Sequence, residues 1–201
     1  MSAKGIDSIP ARERILKTAA ELFYRDGYGA VGVDTIIAQA GVAKTTLYRH
    51  FPSKDELIVA YLERSNERFK AWFEHAITNE RSARAKLTAL FDAVAKLAAS
   101  PACLGCTFQA AASEFPSHEH PGHRVAIEHK QAVLDRLREL ARDAGATEPQ
   151  RLARELLLVM DGAWAAARMF GPDSPAAAAP PAAAALLDAH LPTPSTRGRA
   201  R

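Results

Sequence analysis

Apolar residues recur at helical spacing along most of the chain, and no stretch shows the two-residue alternation that is typical of a half-buried strand. Glycine and proline separate most of the periodic segments. We therefore expect an all-α fold, with helices at about 10–25, 33–40, 44–50, 54–78, 82–100, 104–115, 124–144 and 149–170. The Ala-rich segment 175–190 is either one helix with a poor start or a partly ordered segment.

Two of the predicted helices are short and flank a tight turn. Gly41 follows the first of them and can take a positive φ without a steric penalty. In the second, Leu47 and Phe51 are four residues apart and can face inward with Val42. The remaining residues face outward, are rich in hydrogen-bond donors and include no carboxylate: Lys44, Thr45, Thr46, Tyr48, Arg49 and His50. This pattern is typical of a helix that enters the DNA major groove.

The residues around this turn resemble the signature of the TetR/AcrR family of transcriptional regulators. The resemblance rests on several motifs in order, namely Arg12-Glu-Arg-Ile-Leu, Ala19-Ala-Glu-Leu-Phe23, Gly27-Tyr28 and Ala40-Gly-Val-Ala-Lys-Thr-Thr-Leu-Tyr-Arg-His-Phe-Pro-Ser-Lys-Asp-Glu-Leu57. It implies an N-terminal three-helix DNA-binding domain (1–53) that a long helix joins to a C-terminal ligand-binding and dimerisation domain (54–190). We expect residues 191–201 to form a disordered basic tail.

The chemistry of the outward residues suggests how DNA would be read. Lys44, Thr45 and Thr46 open the second short helix, and the N-terminal residues of such a helix meet base edges. Thr35 can bind a phosphate, and Arg49 can reach a base or a phosphate. The family resemblance implies that Tyr48, His50 and Lys54 grip backbone phosphates. One departure from the family pattern is Ala43, which cannot cap the helix as Ser or Thr would.

One short reading helix buries too little surface to hold a specific site alone. We therefore expect a homodimer on an inverted-repeat operator in double-stranded DNA, assembled through residues 152–170 and 176–189. We expect a repressor that a small apolar or aromatic molecule releases, bound among Phe69, Trp72, Phe73, Phe91, Phe108, Phe115, Met160 and Trp164. Each of these side chains could instead be ordinary core.

Two further clusters leave an alternative open, a regulator that responds to thiol oxidation or to a metal. Cys103 and Cys106 form a C-x-x-C pair that would share one face of a helix, although buried, inert cysteines are common. His118, His120 and His123 lie in one loop, where they could bind a metal or simply be solvated. No catalytic motif, phosphate-binding loop or cofactor motif is present, so we predict a protein that is not an enzyme and needs no cofactor or metal.

Composition and charge argue against a disulfide-rich, membrane-spanning or secreted protein. The chain has 201 residues, a net charge of +3 and two cysteines, too few for a disulfide framework. Residues 1–54 hold eight basic and five acidic residues, so the basic excess lies in the predicted DNA-binding segment. No apolar run approaches the ~20 residues of a membrane helix, and the N-terminus lacks a secretory pattern. We expect a cytoplasmic protein without a membrane partner.

Overall fold

A computed structural model describes residues 9–191, and over this range the chain is helical with no strand. The predicted all-α fold is confirmed. The α-helices are α1 (Ala11–Asp26), α2 (Val33–Ala40), α3 (Lys44–His50), α4 (Lys54–Ile77), α5 (Ala83–Ala98), α6 (Thr107–Glu114), α7 (Pro121–Asp143), α8 (Pro149–Phe170) and α9 (Ala179–His190). The predicted basic tail lies, from residue 192 onward, outside the described residues.

Three helices begin three or four residues from their predicted starts. Helix α6 begins at Thr107 instead of 104, because Gly105 takes a φ of +87° that a right-handed helix cannot include. Helix α7 begins at Pro121 instead of 124, at a residue type suited to the first helical turn. The segment before α9 forms a 3-10 turn, Pro175–Ala178, so the α-helix begins at Ala179.

The chain divides into two compact units. The first contains the described residues up to Arg68 together with residues 107–129, and the second contains residues 69–106 and 130–191. Helices α4 and α7 each contribute residues to both units. The segment 107–129 is thus packed with the N-terminal helices although it is far from them in sequence.

The core of the first unit forms where α1, α2 and α3 meet. Ile15, Ile36 and Leu47 come one from each of these helices, and all are fully buried. Tyr28 follows α1 and is also fully buried, with its ring 5.4 Å from both Phe23 and Phe115. A small helical unit with a continuous apolar centre can hold α3 in a fixed orientation.

The core of the second unit is built from α5, α8 and α9. Leucine and phenylalanine side chains of α5 pack there with alanines of α8 and α9, such as Ala163, Ala167 and Ala183. Alanine lets helix backbones approach closely, which explains how an Ala-rich segment becomes an ordered helix. No helix within residues 9–191 combines the length and the apolar character needed to cross a bilayer.

Candidate nucleic-acid interface

The turn between α2 and α3 has the geometry that its sequence predicts. Gly41 ends α2 in the left-handed region, with φ 61° and ψ 46°, and its N–H donates to the Ile37 carbonyl. The guanidinium of Arg14 in α1 braces this turn, because Nε donates to the Ala40 carbonyl at 3.3 Å and Nη2 donates to the Gly41 carbonyl at 3.4 Å. Two features therefore hold the backbone between α2 and α3: the left-handed conformation of Gly41 and the hydrogen bonds from Arg14.

Helix α3 presents two different faces. Leu47 is fully buried and Phe51, which follows the helix, is almost fully buried. Lys44, Thr45, Tyr48 and Arg49 are exposed, whereas Thr46 and His50 are half-buried. As the sequence predicts, Ala43 provides no side-chain cap, and its carbonyl accepts from the Thr46 and Leu47 amides at 2.9 and 3.2 Å. Within the described part of the chain, the polar face of α3 is therefore largely open to an external partner.

The electrostatic surroundings of this face favour an anion. No residue of α3 is acidic, and the nearest carboxylate contact is Lys44 Nζ to Asp34 Oδ1 at 3.5 Å. Both of those side chains are well exposed, so the pair contributes little and Lys44 can exchange its partner. Lys54 begins α4 directly after the N-cap residue Ser53, whose Oγ accepts from the Glu56 amide at 3.1 Å.

Comparisons with known proteins agree with this arrangement. A sequence model of the bacterial regulatory proteins of the tetR family matches residues 15–61. A TetR-family transcriptional regulator from Streptomyces coelicolor has a similar structure, with a TM-score of 0.86 and 34% identity over 90% of this chain and 95% of that one. A TetR-type regulator from Streptomyces avermitilis has a TM-score of 0.81 and 37% identity, over 90% of this chain and 98% of that one. The chain belongs to the TetR family. It is a helix-turn-helix DNA-binding transcriptional regulator, as the resemblance of its N-terminal motifs predicts.

A third relative of this TetR-family protein is similar only in part. The transcriptional activator FasR of Mycolicibacterium smegmatis is 39% identical over 85 residues, which is 40% of this chain and 39% of that protein.

Helix α6 makes contacts with the α1–α2 turn that the sequence did not predict. The Glu114 carboxylate accepts from the Tyr28 amide at 3.1 Å and from the Gly29 amide at 2.6 Å. At the other end of α6, the Tyr28 hydroxyl lies 2.6 Å from Thr107 Oγ1, which in turn is 2.9 Å from the Tyr61 hydroxyl. We call these contacts of Thr107 and Glu114 the α6 clamp. They hold the segment that enters α2 at two points.

One residue beside the α6 clamp, Gly27, is a glycine in close contact with the Glu114 carboxylate. Gly27 ends α1 with φ +89°, and a Cβ there would lie 2.9 Å from Glu114 Oε1. A glycine at this position is therefore favoured by its backbone conformation, and a side chain here would displace the Glu114 carboxylate. A glycine after a helix is so common that the sequence alone cannot reveal this contact.

The eight residues predicted to line a ligand pocket fall into both units. Phe108 stacks on His129 at 3.6 Å and Phe115 stacks on His120 at 3.9 Å, all within the first unit. The other six belong to the core of the second unit or pack against it: Phe69, Trp72, Phe73, Phe91, Met160 and Trp164. Every one of the eight has a packing role, and their part in binding a ligand stays a prediction.

The cysteine pair does not lie on a helix. Cys103 is buried and Cys106 is half-buried, both with free thiols, in the loop that precedes α6. This corrects the expectation that the two thiols share a helical face. Gly105 holds the loop close to α8, because a Cβ there would lie 2.9 Å from Arg168 Cβ and 3.0 Å from the Trp164 carbonyl oxygen.

The histidines of the 117–123 segment have structural partners. His123 Nδ1 lies 2.6 Å from the Phe115 carbonyl oxygen, and His120 Nδ1 accepts from the Gly122 amide at 3.1 Å. Within residues 9–191 no group of three or more His, Cys, Asp or Glu side chains is placed to hold a metal ion. His123 lies in the first turn of α7 and not in the loop that the sequence predicted for it. These imidazoles stabilise the turn between α6 and α7.

Proposed function

We propose that this TetR-family regulator binds an inverted-repeat operator as a homodimer, with α3 of each protomer in the major groove. The observation that carries the proposal is the two-faced character of α3: Leu47 is fully buried, whereas the outward side chains are polar or cationic and include no carboxylate. A braced turn precedes the helix, so these side chains are presented in a fixed orientation. A preorganised donor-rich helix matches the base edges and phosphates of a groove.

Each outward residue has a role that its chemistry supports. Lys44 can donate to guanine O6 and N7, and Thr45 and Thr46 offer a hydroxyl and a methyl group to base edges. The other proposed contacts are to phosphates, from Thr35 in the first turn of α2 and from Tyr48, His50 and Lys54. Arg49 is exposed near the end of α3 and can reach either a base or a phosphate.

The homodimer is proposed to form through α8 and α9. Leu158 and Met169 are 73% and 76% exposed on α8, where they lie on one helical stripe with Gly162 and Ala165. A shallow groove of about 200 Å³ beside this stripe is lined largely by small residues, including Gly162, Ala166 and Ala182. Large apolar side chains next to a groove of small residues are self-complementary, as a two-fold interface requires. Two helices from each protomer would then form a four-helix bundle.

The regulatory part of the proposal is that DNA binding represses transcription and that a small apolar or aromatic molecule relieves repression. Support for an apolar effector comes from the aromatic side chains of the second unit, where the Trp72 and Trp164 rings lie 6.0 Å apart and those of Phe69 and Trp72 5.4 Å apart. A reporter gene behind the operator tests the sign of regulation. Expression that rises when the regulator is deleted agrees with repression, and expression that falls would make this protein an activator, as FasR is described to be.

The DNA-reading assignment is tested by titrating duplex DNA over a range of salt concentrations. Lys54→Ala should weaken binding to all sequences and flatten the plot of log K against log salt by about 0.9 for each phosphate that the protein no longer neutralises. Tyr48→Ala removes a neutral hydroxyl, so it should weaken binding to all sequences and leave the slope nearly unchanged. Thr46→Ala should instead change the preference at one base position of each half-site. Lys96→Ala removes an exposed charge from α5 and serves as the control. An unchanged slope in Lys54→Ala, or an unchanged affinity in Tyr48→Ala, would show that the phosphate assignment of that residue is wrong.

The dimer surface is tested with Leu158→Glu and, as a matched control, Leu97→Glu on α5, where the leucine is 41% exposed. Burying a leucine contributes about 1.5–3 kcal/mol, and a symmetric dimer buries two copies, so Leu158→Glu should weaken dimerisation by about a hundredfold or more. Sedimentation velocity over a concentration series measures this change. Equal dissociation constants for Leu158→Glu and Leu97→Glu would place the interface elsewhere.

A further inference from the structure

Arg12 lies against the end of the reading helix α3, although it belongs to α1. It is the second residue of α1 and is exposed. Its guanidinium carbon is 5.0 Å from the centroid of the Phe51 ring, and Phe51 directly follows the last residue of α3. A guanidinium that stacks on a ring keeps its in-plane N–H groups available for another partner.

The other two arginines of α1 donate their guanidinium N–H groups to partners within the protein. Arg14 donates to main-chain carbonyls, and Arg25 is paired with Asp26. Glu13, the carboxylate next to Arg12 in sequence, is occupied by Arg64, whose Nη1 donates to Glu13 Oε1 at 2.7 Å. Considering residues 9–191 alone, Arg12 forms no ion pair. It is a positioned cation that no carboxylate contacts in that part of the chain, and the neighbouring charge of Glu13 acts on it only at longer range.

The place of this cation agrees with the course of a DNA backbone. Phe51 stands three residues after Tyr48 and three residues before Lys54, the two side chains proposed to grip phosphates on either side of the α3–α4 turn. We propose that Arg12 is a further DNA-backbone contact, which binds a phosphate through the paired N–H groups of its guanidinium while Phe51 holds the group in position. This inference rests on the proposed function, because it needs α3 to lie in the major groove.

A purely structural role for Arg12 makes a different prediction. If the arginine only covers the Phe51 ring, its replacement lowers the stability of the first unit and leaves the salt dependence of DNA binding unchanged. If it binds a phosphate, its replacement changes the number of counter-ions released on binding, and the salt slope reports that number. The slope therefore separates the two roles even when both lower the affinity.

The experiment compares three variants with the unaltered protein on the operator duplex and on a scrambled duplex. Arg12→Gln removes the charge, Arg12→Lys keeps the charge but loses the planar fork, and Lys17→Gln removes an exposed charge five residues further along α1. Affinity is measured from low to near-physiological salt, and thermal unfolding is followed by circular dichroism. Because a dimer carries two copies, Arg12→Gln should flatten the slope by about 1.8, with a similar loss of affinity on both duplexes. Arg12→Lys should keep the slope near that of the unaltered protein, and Lys17→Gln should do the same.

Three results would overturn the inference. Arg12→Gln with an unchanged slope means that Arg12 does not bind a phosphate. Equal slopes for Arg12→Gln and Lys17→Gln mean that only a diffuse charge effect was removed. Failure of the unaltered protein to bind either duplex would refute the proposed function together with this inference, whereas normal binding by that protein confines either of the first two results to Arg12.

Discussion

Replacing Glu114 tests whether the α6 clamp holds the DNA-reading helices in place. The Glu114 carboxylate accepts two main-chain hydrogen bonds, from Tyr28 and Gly29, at the turn that leads into α2. Glu114→Ala removes both bonds, and Glu114→Gln keeps at most one of them, because the amide nitrogen of glutamine is itself a donor. Neither variant alters a residue proposed to touch DNA.

The magnitude follows from the kind of bond and its exposure. Hydrogen bonds to a charged group contribute about 1.5–3 kcal/mol each, and water competes for an exposed carboxylate, so the lower end applies here. Allowing for that competition, Glu114→Ala should lower the free energy of unfolding of the first unit by about 2–3 kcal/mol and Glu114→Gln by about 1–2 kcal/mol. A loss of ~2 kcal/mol corresponds to a change of about thirtyfold in the unfolding equilibrium.

Two measurements check this expectation. Native-state hydrogen exchange should show lower protection of the Tyr28 and Gly29 amides in both variants, and urea unfolding should show the graded loss of stability. Operator affinity should fall while the salt slope stays constant, because the proposed phosphate-binding side chains are all retained. Glu119→Gln is the control, since this carboxylate is 94% exposed and its side-chain contact, to Arg124, is 4.0 Å long. If Glu114→Ala and Glu119→Gln have the same unfolding free energy and the same amide protection, Glu114 does not stabilise the turn that leads into α2.

Two other residues of the first unit give further predictions. The hydrogen bond from Arg64 is the main cause that lowers the pKa of Glu13 below its ordinary 4.5, so this pair stabilises the fold above that pH and the contribution is lost as the pH falls through the lowered pKa. Because the side chains of Glu13 and Arg64 are 44% and 30% exposed, Glu13→Gln should lower the free energy of unfolding by at most about 1 kcal/mol near neutral pH. In urea unfolding, the difference between this variant and the unaltered protein should shrink in acid. A difference that persists in acid would exclude the ion pair as its cause. Gly41 has a φ of 61°, so Gly41→Ala should lower the free energy of unfolding by about 1–2 kcal/mol in thermal or urea unfolding. Gly41→Asn should lower it clearly less, because asparagine tolerates the left-handed region. Equal losses in the two variants would show that backbone strain is not the cause.

The local architecture of the reading head could be predicted because short-range signals determine it. The glycine after α2 and the spacing of Leu47 and Phe51 each act over a few residues, and each is found where the sequence predicts it. Helical periodicity along the rest of the chain predicted the all-α fold, which is found over residues 9–191. Fold and reading head were thus accessible from the sequence alone.

What could not be predicted depends on contacts between distant parts of the chain. Glu114 is 86 residues from Tyr28, and an acidic residue at the end of a short helix gives no sign that it binds main-chain amides elsewhere. The predicted start of α6 is too early because the left-handed conformation of Gly105 goes with its close approach to α8. The histidines were open to a metal-binding interpretation because their partners, such as the Phe115 carbonyl, are set by the folded turn.

Selection of bound duplexes from a random DNA pool at near-physiological salt shows whether a dimer of this protein binds DNA in a sequence-specific way. We expect enrichment of an inverted repeat whose half-sites are centred ~34–36 Å apart, one helical turn of DNA. The Tyr48→Ala variant, carried through the same selection, should enrich it far less. Sequencing that finds no enriched repeat with the unaltered protein, and only weak salt-sensitive binding to every duplex, would refute sequence-specific binding by a dimer.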